Sequence, residues 1–308
     1  MKKSMIFGAT ALTLALQSTA ALASDTLNCA SGPNGVDAGP AARSNAEQKL
    51  NVAVLINIDN GQALLCVNER NASRSTMIGV ISGAENSEKL VGMDYRVQDG
   101  KLYAVGSMGG IYTVDTTTAA LTPVNKLTVQ LEGTLFGVDF NPAADRLRIV
   151  SNTGQNLRHN VNMGGLTIAD SGLNTGAGTP PPPVTGIVSG AYTNNDVLQA
   201  ATSTTLLVIN GTSDTVALQS PANSGIIAAT GSLGVNTSGP VGFDIYNTLR
   251  DGVATTNRAL LSATVEGTDN AVLYSVDVLT GAASKASNFA KGVKVVDIAI
   301  PLNQKTED

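Results

Sequence analysis

Short apolar runs separated by turn residues occupy most of this chain. Runs of valine, threonine, leucine and isoleucine alternate with clusters of Gly, Asn, Asp and Ser. Apolar runs bounded by such turn residues are typical of β-strands. Since no segment shows a sustained helical period with caps, we expect helices to be minor.

The clearest strand pattern lies in residues 136–160, which read FGVDFNPAADRLRIVSNTGQNLRHN. A strand carrying Gly137 and Asp139 is followed by a turn at Asn141-Pro142 and by a second strand with two arginines. A turn at residues 152–154 then leads to a third strand. Weaker copies of this pattern recur along the chain, so it indicates the unit from which the fold is built.

Five segments repeat the start of this unit. They read VGMD at residues 91–94, FGVD at 136–139, VSGAY at 188–192, VGFD at 241–244 and VVDI at 295–298. With Asp94, Asp139, Tyr192, Asp244 and Asp297 as markers, successive units are 45, 53, 52 and 53 residues apart. Four strands per unit of this length are the signature of a β-propeller blade.

The fifth unit has its first strand alone before the chain ends. Its other three strands are predicted at residues 52–58, 63–67 and 76–81, with a hairpin turn at Asn60-Gly61. The sequence therefore predicts an all-β, five-bladed β-propeller in which the amino- and carboxyl-terminal strands share one blade. Such closure removes open sheet edges. The alternative is a β-sandwich with coincidental spacing.

The third unit has the most degenerate opening. After its first strand we expect the second, third and fourth strands at residues 197–201, 206–210 and 215–218. The placement of the third rests on the similarity of LLVIN at 206–210 to LLCVN at 64–68, which is the third strand of the closing unit.

The amino-terminal residues have the pattern of a secretory signal. Lys2 and Lys3 precede an apolar run at residues 5–16 that is too short to span a membrane, and a small-x-small cleavage site follows at 21–23. We expect a signal peptide at residues 1–23, an extended lead-in at 24–49 and a propeller domain at 50–308. The protein is then exported to the periplasm or the extracellular space, with no membrane span after cleavage.

Charge and aromatic content exclude several classes of function. Charged residues make up 14% of the chain, and the formal net charge of −5 becomes −7 when the two signal lysines are removed. No basic patch offsets that charge, which argues against nucleic acid and anionic lipid as partners. The chain has no tryptophan, so platforms for sugar stacking are scarce, which argues against a lectin or a glycosidase.

Two cysteines, Cys29 and Cys66, follow the signal. In an oxidising compartment we expect one disulfide between them, worth roughly 3–4 kcal/mol on the chain-entropy model. A redox or metal role is the alternative, but Cys-x-x-Cys spacing is absent and His159 is the single histidine.

Residues 90–160 resemble a known family. The matching motif is Gly-x-Asp-Phe-Asn-Pro-x-x-Asp-Arg-Leu-Arg at residues 137–148, followed by Asn-Leu-Arg at 156–158. It resembles the bacterial secreted family catalogued as domain of unknown function 4394, over about residues 52–308. The resemblance implies a propeller-like fold and export, and it carries no known activity. Where such proteins often have Pro after Asn-Leu-Arg, this chain has His159.

The first candidate site is the set of carboxylates in the opening strands, Asp94, Asp139, Asp244 and Asp297. If these strands line the central channel, the carboxylates could bind a cation or act as an acid/base pair in glycoside hydrolysis. The alternative is that each Asp caps the turn that leaves its own strand by accepting backbone N–H bonds. Because the residue repeats in every clear unit, the structural role is favoured.

The second candidate site breaks the repeat. Arg146, Arg148 and Arg158 occur in one unit and, with Asp139, Asn141 and Asn156, form a candidate ligand-binding set. Paired guanidinium groups can clamp a carboxylate or a phosphate. The favoured alternative is an internal network with Asp139 and Asp145, and Arg158 is the best ligand candidate of the three.

Motifs of known chemistry are otherwise absent from the sequence. It contains no Gly-x-Ser-x-Gly elbow, phosphate loop or His-Glu-x-x-His motif. We therefore predict an exported, non-catalytic, monomeric propeller, without cofactor or metal, that binds a small ligand or an envelope protein. The alternatives are a hydrolase or lyase that uses the channel carboxylates, and a purely structural envelope protein.

Overall fold

Five four-stranded antiparallel sheets build the protein, as seen in a computed structural model. The structure describes residues 27–31, 49–196, 203–250 and 253–304. The predicted signal peptide, and the predicted lead-in apart from residues 27–31 and 49, lie outside these ranges. Two single-turn 3-10 helices, Glu85–Ser87 and Ala222–Ser224, interrupt the β-structure. No helix in the described ranges is long and apolar enough to cross a membrane.

Each sheet is one blade of a propeller. Blade 1 contains β4 (Leu90–Tyr95), β5 (Leu102–Gly106), β6 (Gly110–Val114) and β7 (Leu121–Lys126). Blade 2 contains β8 (Phe136–Asn141), β9 (Arg146–Ser151), β10 (Asn156–His159) and β11 (Thr167–Ala169). Blade 3 contains β12 (Ile187–Tyr192), β13 (Leu206–Asn210), β14 (Thr215–Gln219) and β15 (Ile227–Ser232). Blade 4 contains β16 (Thr237–Arg250), β17 (Val253–Val265), β18 (Ala271–Val276) and β19 (Ala283–Asn288).

The closing blade joins the two ends of the described chain. It contains β20 (Lys294–Ala299), β1 (Asn51–Ile58), β2 (Gly61–Asn68) and β3 (Asn71–Val80), in that order. Strand β20 pairs antiparallel with β1, and Leu55 lies opposite Asp297. The predicted five-bladed propeller, closed by strands from both ends of the chain, is therefore confirmed.

The predicted disulfide is also confirmed. Cys29 and Cys66 are bonded, with their Cα atoms 5.8 Å apart. The bond fixes residues 27–31 against the closing blade and blade 1, where Cys29 is buried in an apolar cluster with Tyr95 and Leu302. The Tyr95 hydroxyl donates a hydrogen bond to the carbonyl oxygen of Cys29. Within residues 27–31, Cys29 thus belongs to the packed core and Leu27 packs against it.

The predicted order of strands in the third unit is wrong by one position. The second strand of blade 3 is β13, which we expected to be third, and the third strand is β14, which we expected to be fourth. The fourth strand, β15, was not predicted. The segment expected to be the second strand, residues 197–201, lies outside the described residues. Hydrogen bonding to β12 along its whole length places β13 next to the inner strand.

Apolar side chains fill the space between neighbouring blades. Between blades 1 and 2, the rings of Tyr103 and Phe140 meet edge to face with centroids 5.2 Å apart. Between blades 3 and 4, Leu207 packs in one cluster with Phe243 and Leu261. Because alternate strand residues face opposite neighbours, both faces of each blade are buried, which explains the nearly continuous apolar runs in the inner strands.

Candidate functional site

The inner strands of the five blades meet around a common axis. Strand β4 contacts β8, β8 contacts β12, β12 contacts β16, β16 contacts β20, and β20 returns to β4. This ring brings the four predicted carboxylates together. We call Asp94, Asp139, Asp244 and Asp297 the central carboxylates; each is at most 5% exposed.

The central carboxylates connect neighbouring blades through backbone hydrogen bonds. Asp94 Oδ2 accepts from the Phe140 N–H of blade 2 at 2.7 Å. Asp139 Oδ1 accepts from the Tyr192 N–H of blade 3 at 3.0 Å. In the same way, Asp244 accepts from Ile300 N–H and Asp297 accepts from Met93 N–H.

Three of these carboxylates also accept the N–H of the next residue in their own strand. The donors are Tyr95, Ile245 and Ile298. Local N–H bonds of this kind were predicted, but the bonds to the next blade were not. Each central carboxylate therefore fastens one inner strand to another.

A glycine precedes three of the aspartates by two positions because the inner strands approach so closely. A Cβ on Gly137 would lie 2.6 Å from the backbone nitrogen of Gly190 in blade 3. A Cβ on Gly242 would lie 2.5 Å from the backbone nitrogen of Ile298 in the closing blade. The Gly-x-Asp pattern thus has a mechanical cause: the glycine lets two strands touch, and the aspartate then bonds across the contact.

Blade 3 lacks a central carboxylate, and its marker residue must be corrected. We took Tyr192 as the equivalent of the aspartates. However, Tyr192 donates its N–H to Asp139, as Phe140 donates to Asp94. Tyr192 is therefore equivalent to Phe140, the residue after the aspartate. Ala191 occupies the aspartate position of blade 3.

Burial raises the pKa of every central carboxylate, and repulsion by neighbouring carboxylates raises the pKa of Asp94, Asp139 and Asp297 further. Burial is the largest cause in each case. For Asp94 the second cause is the charge of Asp244, and for Asp139 it is the charge of Asp94. The pKa of Asp244 rises to about 6, and the pKa values of the other three lie well above the usual range. The cluster therefore retains protons at a pH where exposed aspartates have lost them.

The same cluster has the composition of a cation site. Asp94, Asp139 and Asp244 each offer one oxygen atom, and these three atoms lie within 4.8 Å of one another. Carboxylate oxygens suit Ca²⁺, and a bound cation would remove the repulsion. The backbone N–H groups compete for the same oxygens, so the chemistry of the donor set permits a cation without requiring one.

The candidate arginines form an internal network, but with a different partner from the one predicted. Arg148 is 3% exposed and forms an ion pair with Asp170 at 2.8 Å. It also donates to Asn156 Oδ1 at 2.7 Å and to Asn223 Oδ1 at 2.6 Å. Arg158 bonds the same carboxylate at 2.9 Å, and its side chain is 34% exposed. Asp170, which we did not single out, is the centre of the network.

Neither predicted partner, Asp139 or Asp145, pairs with these arginines. The Asp145 carboxylate instead accepts hydrogen bonds from the Nε and one terminal nitrogen of Arg96. Because Arg96 belongs to blade 1, this pair bonds blade 1 to blade 2. Arg146 donates to the backbone carbonyl oxygens of Ala144 and Asp145. The Asp-Arg-Leu-Arg motif therefore supports two separate contacts between blades.

The remaining sequence candidates have structural contacts. Asn141 Oδ1 accepts from Ala144 N–H at 2.8 Å and so caps a turn. The Asn156 amide donates to the carbonyl oxygens of Ser171 and Ala222. His159 is fully buried, with its ring nitrogens at 3.0 Å from Thr167 Oγ1 and 2.9 Å from Asn125 Oδ1. Burial lowers the pKa of His159 to about 4, so it stays neutral at physiological pH.

A pocket that we did not predict opens at one end of the axis. It has a volume of about 300 Å³ and lies where the inner strands begin, with lining residues from all five blades. We call it the axial pocket. Its walls include Val91, Phe136, Val188, Val241 and Val296.

The rim of the axial pocket is polar. Lys89, Ser107 and Thr134 line it and are exposed. Gln62 also lines the pocket, but its amide is bonded to both the N–H and the carbonyl of Leu90 and so fixes the closing blade to blade 1. An apolar cavity with a few polar groups at its edge is the usual form of a small-molecule site.

A second depression, of about 520 Å³, lies beside the proline-rich loop between blades 2 and 3. It is shallower, and Pro181 and Pro183 form one side of it. Its most buried polar group, Asn174, donates to the carbonyl oxygens of Gly172 and Ser224 and accepts from Gly176 N–H. Its polar groups are thus engaged in holding the loop.

Comparisons with solved structures identify distant relatives of the fold. A protein from Lactobacillus plantarum is 13% identical, with a TM-score of 0.41 over 82% of this chain and 99% of that chain. An auxiliary nutrient binding protein from Bacteroides ovatus is 14% identical, with a TM-score of 0.39 over 67% of this chain and 55% of that chain. The WD40 domain of coronin from Toxoplasma gondii is 12% identical, with a TM-score of 0.36 over 84% of this chain and 59% of that chain. Similarity at this level carries no functional information about this chain.

A comparison with curated protein sequences found no significant match. The family model described as a domain of unknown function, DUF4394, matches residues 63–299, which include blades 1 to 4 and much of the closing blade. This match confirms the resemblance in the Gly-x-Asp-Phe-Asn-Pro segment, and the chain therefore belongs to the DUF4394 family.

Proposed function

We propose that this protein is an exported, non-catalytic β-propeller that binds a small ligand in the axial pocket. The observation that supports this function is the pocket itself: about 300 Å³, at the end of the axis, with walls from all five blades. A site built from every blade is rigid because it moves only if the ring deforms. Rigid, preformed apolar pockets favour small-molecule binding, since little entropy is lost on ordering the site.

The rival function is a hydrolase or lyase that uses the central carboxylates. All four are at least 95% buried, and each accepts a backbone N–H from another blade. A general acid or base must reach the proton that it transfers, within hydrogen-bond distance or through one water. The contacts of these carboxylates favour a structural role, which supports the non-catalytic proposal.

An envelope protein is the other partner that we considered. A concave pocket of this size accepts a small molecule more readily than a protein surface, whose interfaces typically bury about 800 Å² on each side. The proposal therefore commits to a small molecule. A protein partner or a purely structural role would be indicated if no small molecule binds.

The test is a thermal-shift screen of the mature protein against small organic compounds, followed by calorimetry. Binding in the axial pocket should raise the melting temperature of the wild type and fail in Val91→Phe and Val296→Phe, which fill the pocket from two different blades. Val124→Phe is the matched control, because Val124 is exposed on the outer strand of blade 1. Compounds that stabilise the wild type and both filled variants equally would contradict the proposal, as would a screen without hits.

The same screen should include Ca²⁺ and a chelator to examine the cation alternative. Asp139→Asn keeps an oxygen for the Tyr192 N–H but removes one charge from the cluster. A calcium-dependent rise in melting temperature that disappears in Asp139→Asn would assign a cation to the central carboxylates. The predicted monomer can be checked on the same samples by light scattering.

A further inference from the structure

We propose that the axial pocket selects small amphipathic monocarboxylic acids, with the apolar part of the ligand inside and its carboxylate at Lys89. This inference rests on the proposed function, because it names the ligand class of the same pocket. It depends on how charge is distributed around the pocket, from the rim to the centre of the propeller.

Lys89 is the one charged residue that lines the axial pocket. It precedes β4 directly, its side chain is exposed, and its carbonyl oxygen accepts from the N–H of Ser107, which lies beside it in the same blade. None of the ion pairs formed within the described residues involves Lys89. Its ammonium group therefore keeps its three donors for solvent or a ligand.

The neighbouring acid does not neutralise Lys89. Glu88 is 9% exposed and turns into blade 1, where it lies against Gly106 and Gly110. Its carboxylate accepts from Met108 N–H at 2.6 Å and from the Tyr112 hydroxyl at 2.5 Å. Glycine at positions 106 and 110 makes room for this side chain, since a Cβ at either would lie about 2 Å from its carboxylate atoms. The carboxylate of Glu88 is thus held within the blade by its own hydrogen bonds and does not line the pocket.

The walls below the rim provide no second charge. The lining residues other than Lys89 are apolar or uncharged, and the buried amide of Gln62 is engaged by Leu90. A ligand with one anionic group can therefore satisfy Lys89 while its apolar part contacts Val91, Phe136 and Val241. A phosphate would need several donors, such as a bidentate arginine or a helix amino terminus, and the lining has neither.

The central carboxylates set the orientation of the ligand. Asp94 lies three residues beyond Val91 along β4, which is about 10 Å at the rise of a β-strand. Whether protonated or charged, a carboxylate at that depth offers an anion no positive partner, so the bottom of the pocket does not hold the anionic group. The anionic group is therefore stable at the rim alone, beside Lys89.

The test uses three probes that share a phenyl ring and a short chain: phenylacetate, 2-phenylethanol and 2-phenylethylamine. For the wild type, calorimetry at low salt should give phenylacetate the lowest dissociation constant, about two- to fivefold below that of the alcohol, the range expected for one exposed ion pair. The amine should bind most weakly. Raising the ionic strength from 0.05 to 0.5 M should reduce the preference for the acid.

Lys89→Gln should remove the preference for phenylacetate and leave the affinity for 2-phenylethanol unchanged. Lys101→Gln is the matched control, because Lys101 is an exposed lysine in the turn at the other end of β4. It should leave all three affinities unchanged. The inference is overturned if Lys89→Gln keeps the preference, or if the acid and the alcohol bind the wild type equally.

The outcomes also separate this inference from the proposed function. If the alcohol and the acid bind equally and both are lost in Val91→Phe, the pocket function stands and the acid preference is wrong. If none of the three probes binds the wild type, the inference is wrong, and the wider compound screen then decides the pocket function by itself.

Discussion

Blades 2 and 3 lie side by side in the ring, yet the rows of residues across their middles have opposite chemistry. In blade 2 the strand register places Asp139 opposite Arg148, and Arg148 opposite Arg158. The equivalent row in blade 3 reads Ala191, Leu207, Leu218. Both rows form regular four-stranded sheets, so strand pairing itself does not need the polar residues.

The two rows differ in the contacts that they make with neighbouring blades. Arg148 reaches Asn223 and the Tyr192 hydroxyl, both in blade 3. The apolar row of blade 3 instead supplies Leu207 to the core shared with blade 4. At the level of this row, Arg148 therefore bonds blade 3 to blade 2 while Leu207 packs it against blade 4; hydrogen bonds from Asn195 to blade 4 lie beyond the row. Directional bonds fix the position of a neighbour, whereas packing tolerates substitution as long as volume is kept.

The largest loss of stability is expected when the polar row of blade 2 is made apolar like the row of blade 3. Arg148→Leu leaves the Asp170 carboxylate and the Asn156 amide buried without the guanidinium, so we expect a loss of about 3–5 kcal/mol in the free energy of unfolding. Urea unfolding measures it. Leu207→Met, the volume-conserving change at the same position of blade 3, should cost less than about 1.5 kcal/mol. A loss below about 1 kcal/mol for Arg148→Leu would mean that Arg158 alone satisfies Asp170.

A smaller effect is expected from the glycine two positions before the aspartate. Gly137→Ala places a Cβ 2.6 Å from backbone atoms of blade 3 and should cost about 3 kcal/mol, because backbone must shift. Blade 3 already has a side chain at this position, so Ser189→Ala should cost less than about 1 kcal/mol. Equal losses in thermal or urea unfolding would contradict the close approach of β8 and β12.

The central carboxylates should make stability depend on pH, and blade 3 should contribute nothing to that dependence. Their pKa values are higher in the folded protein than in the unfolded chain, so the folded state binds more protons and stability falls as pH rises through that window. For Asp244 the window runs from about pH 4 to about pH 6, and the others extend it upward. Between pH 5 and pH 8 we expect a loss of about 2 kcal/mol.

Urea unfolding of the wild type and Asp139→Asn across this pH range measures the effect. The variant should show a shallower fall, because one of the carboxylates with a raised pKa is removed. Asp115→Asn, which changes an exposed turn residue of blade 1, is the control and should leave the slope unchanged in this range. Stability that rises from pH 5 to pH 8 in the wild type would contradict the raised pKa values.

The smallest loss of stability is expected at Arg158, the outer residue of the polar row. The Arg158 side chain is 34% exposed, and Arg148 remains bonded to Asp170 when Arg158 is changed. Arg158→Leu should therefore cost less than about 1 kcal/mol in the free energy of unfolding. If Arg158 instead binds an anion, inorganic phosphate should raise the melting temperature of the wild type but not of the variant.

The propeller was predictable from sequence because its strongest constraint repeats. Gly-x-Asp recurs at three of the four inner-strand contacts that an aspartate bonds across, so Asp94, Asp139 and Asp244 mark blades 1, 2 and 4, while Asp297 of the closing blade follows Val295. Blade 3 replaces this signal with Ser189 and Ala191, and the order of its strands was accordingly wrong. The last strand of blade 3, β15, consists mainly of small residues and is mostly exposed, so it lacks the apolar pattern of an inner strand.

The axial pocket and the partners of the arginines were not predictable. The pocket walls come from separate segments about 50 residues apart, and Val91 or Val241 looks in sequence like any other strand residue. Asp170 lies outside the motif that drew attention to Arg148, and sequence spacing alone cannot match a carboxylate to a guanidinium when the two lie at different strands of a blade. The sequence did identify the blade in which the network lies.

The pairing of β20 with β1 has a consequence for folding during synthesis. Synthesis starts at the amino end, so β1 is made long before β20, the strand with which it pairs. Until then β1 is a bare edge that can pair with a strand of another molecule. A chain that ends before Lys294 would therefore be an aggregation-prone polypeptide rather than a smaller propeller. Only molecules that contain β20 can close the ring and cover the exposed edge of β1.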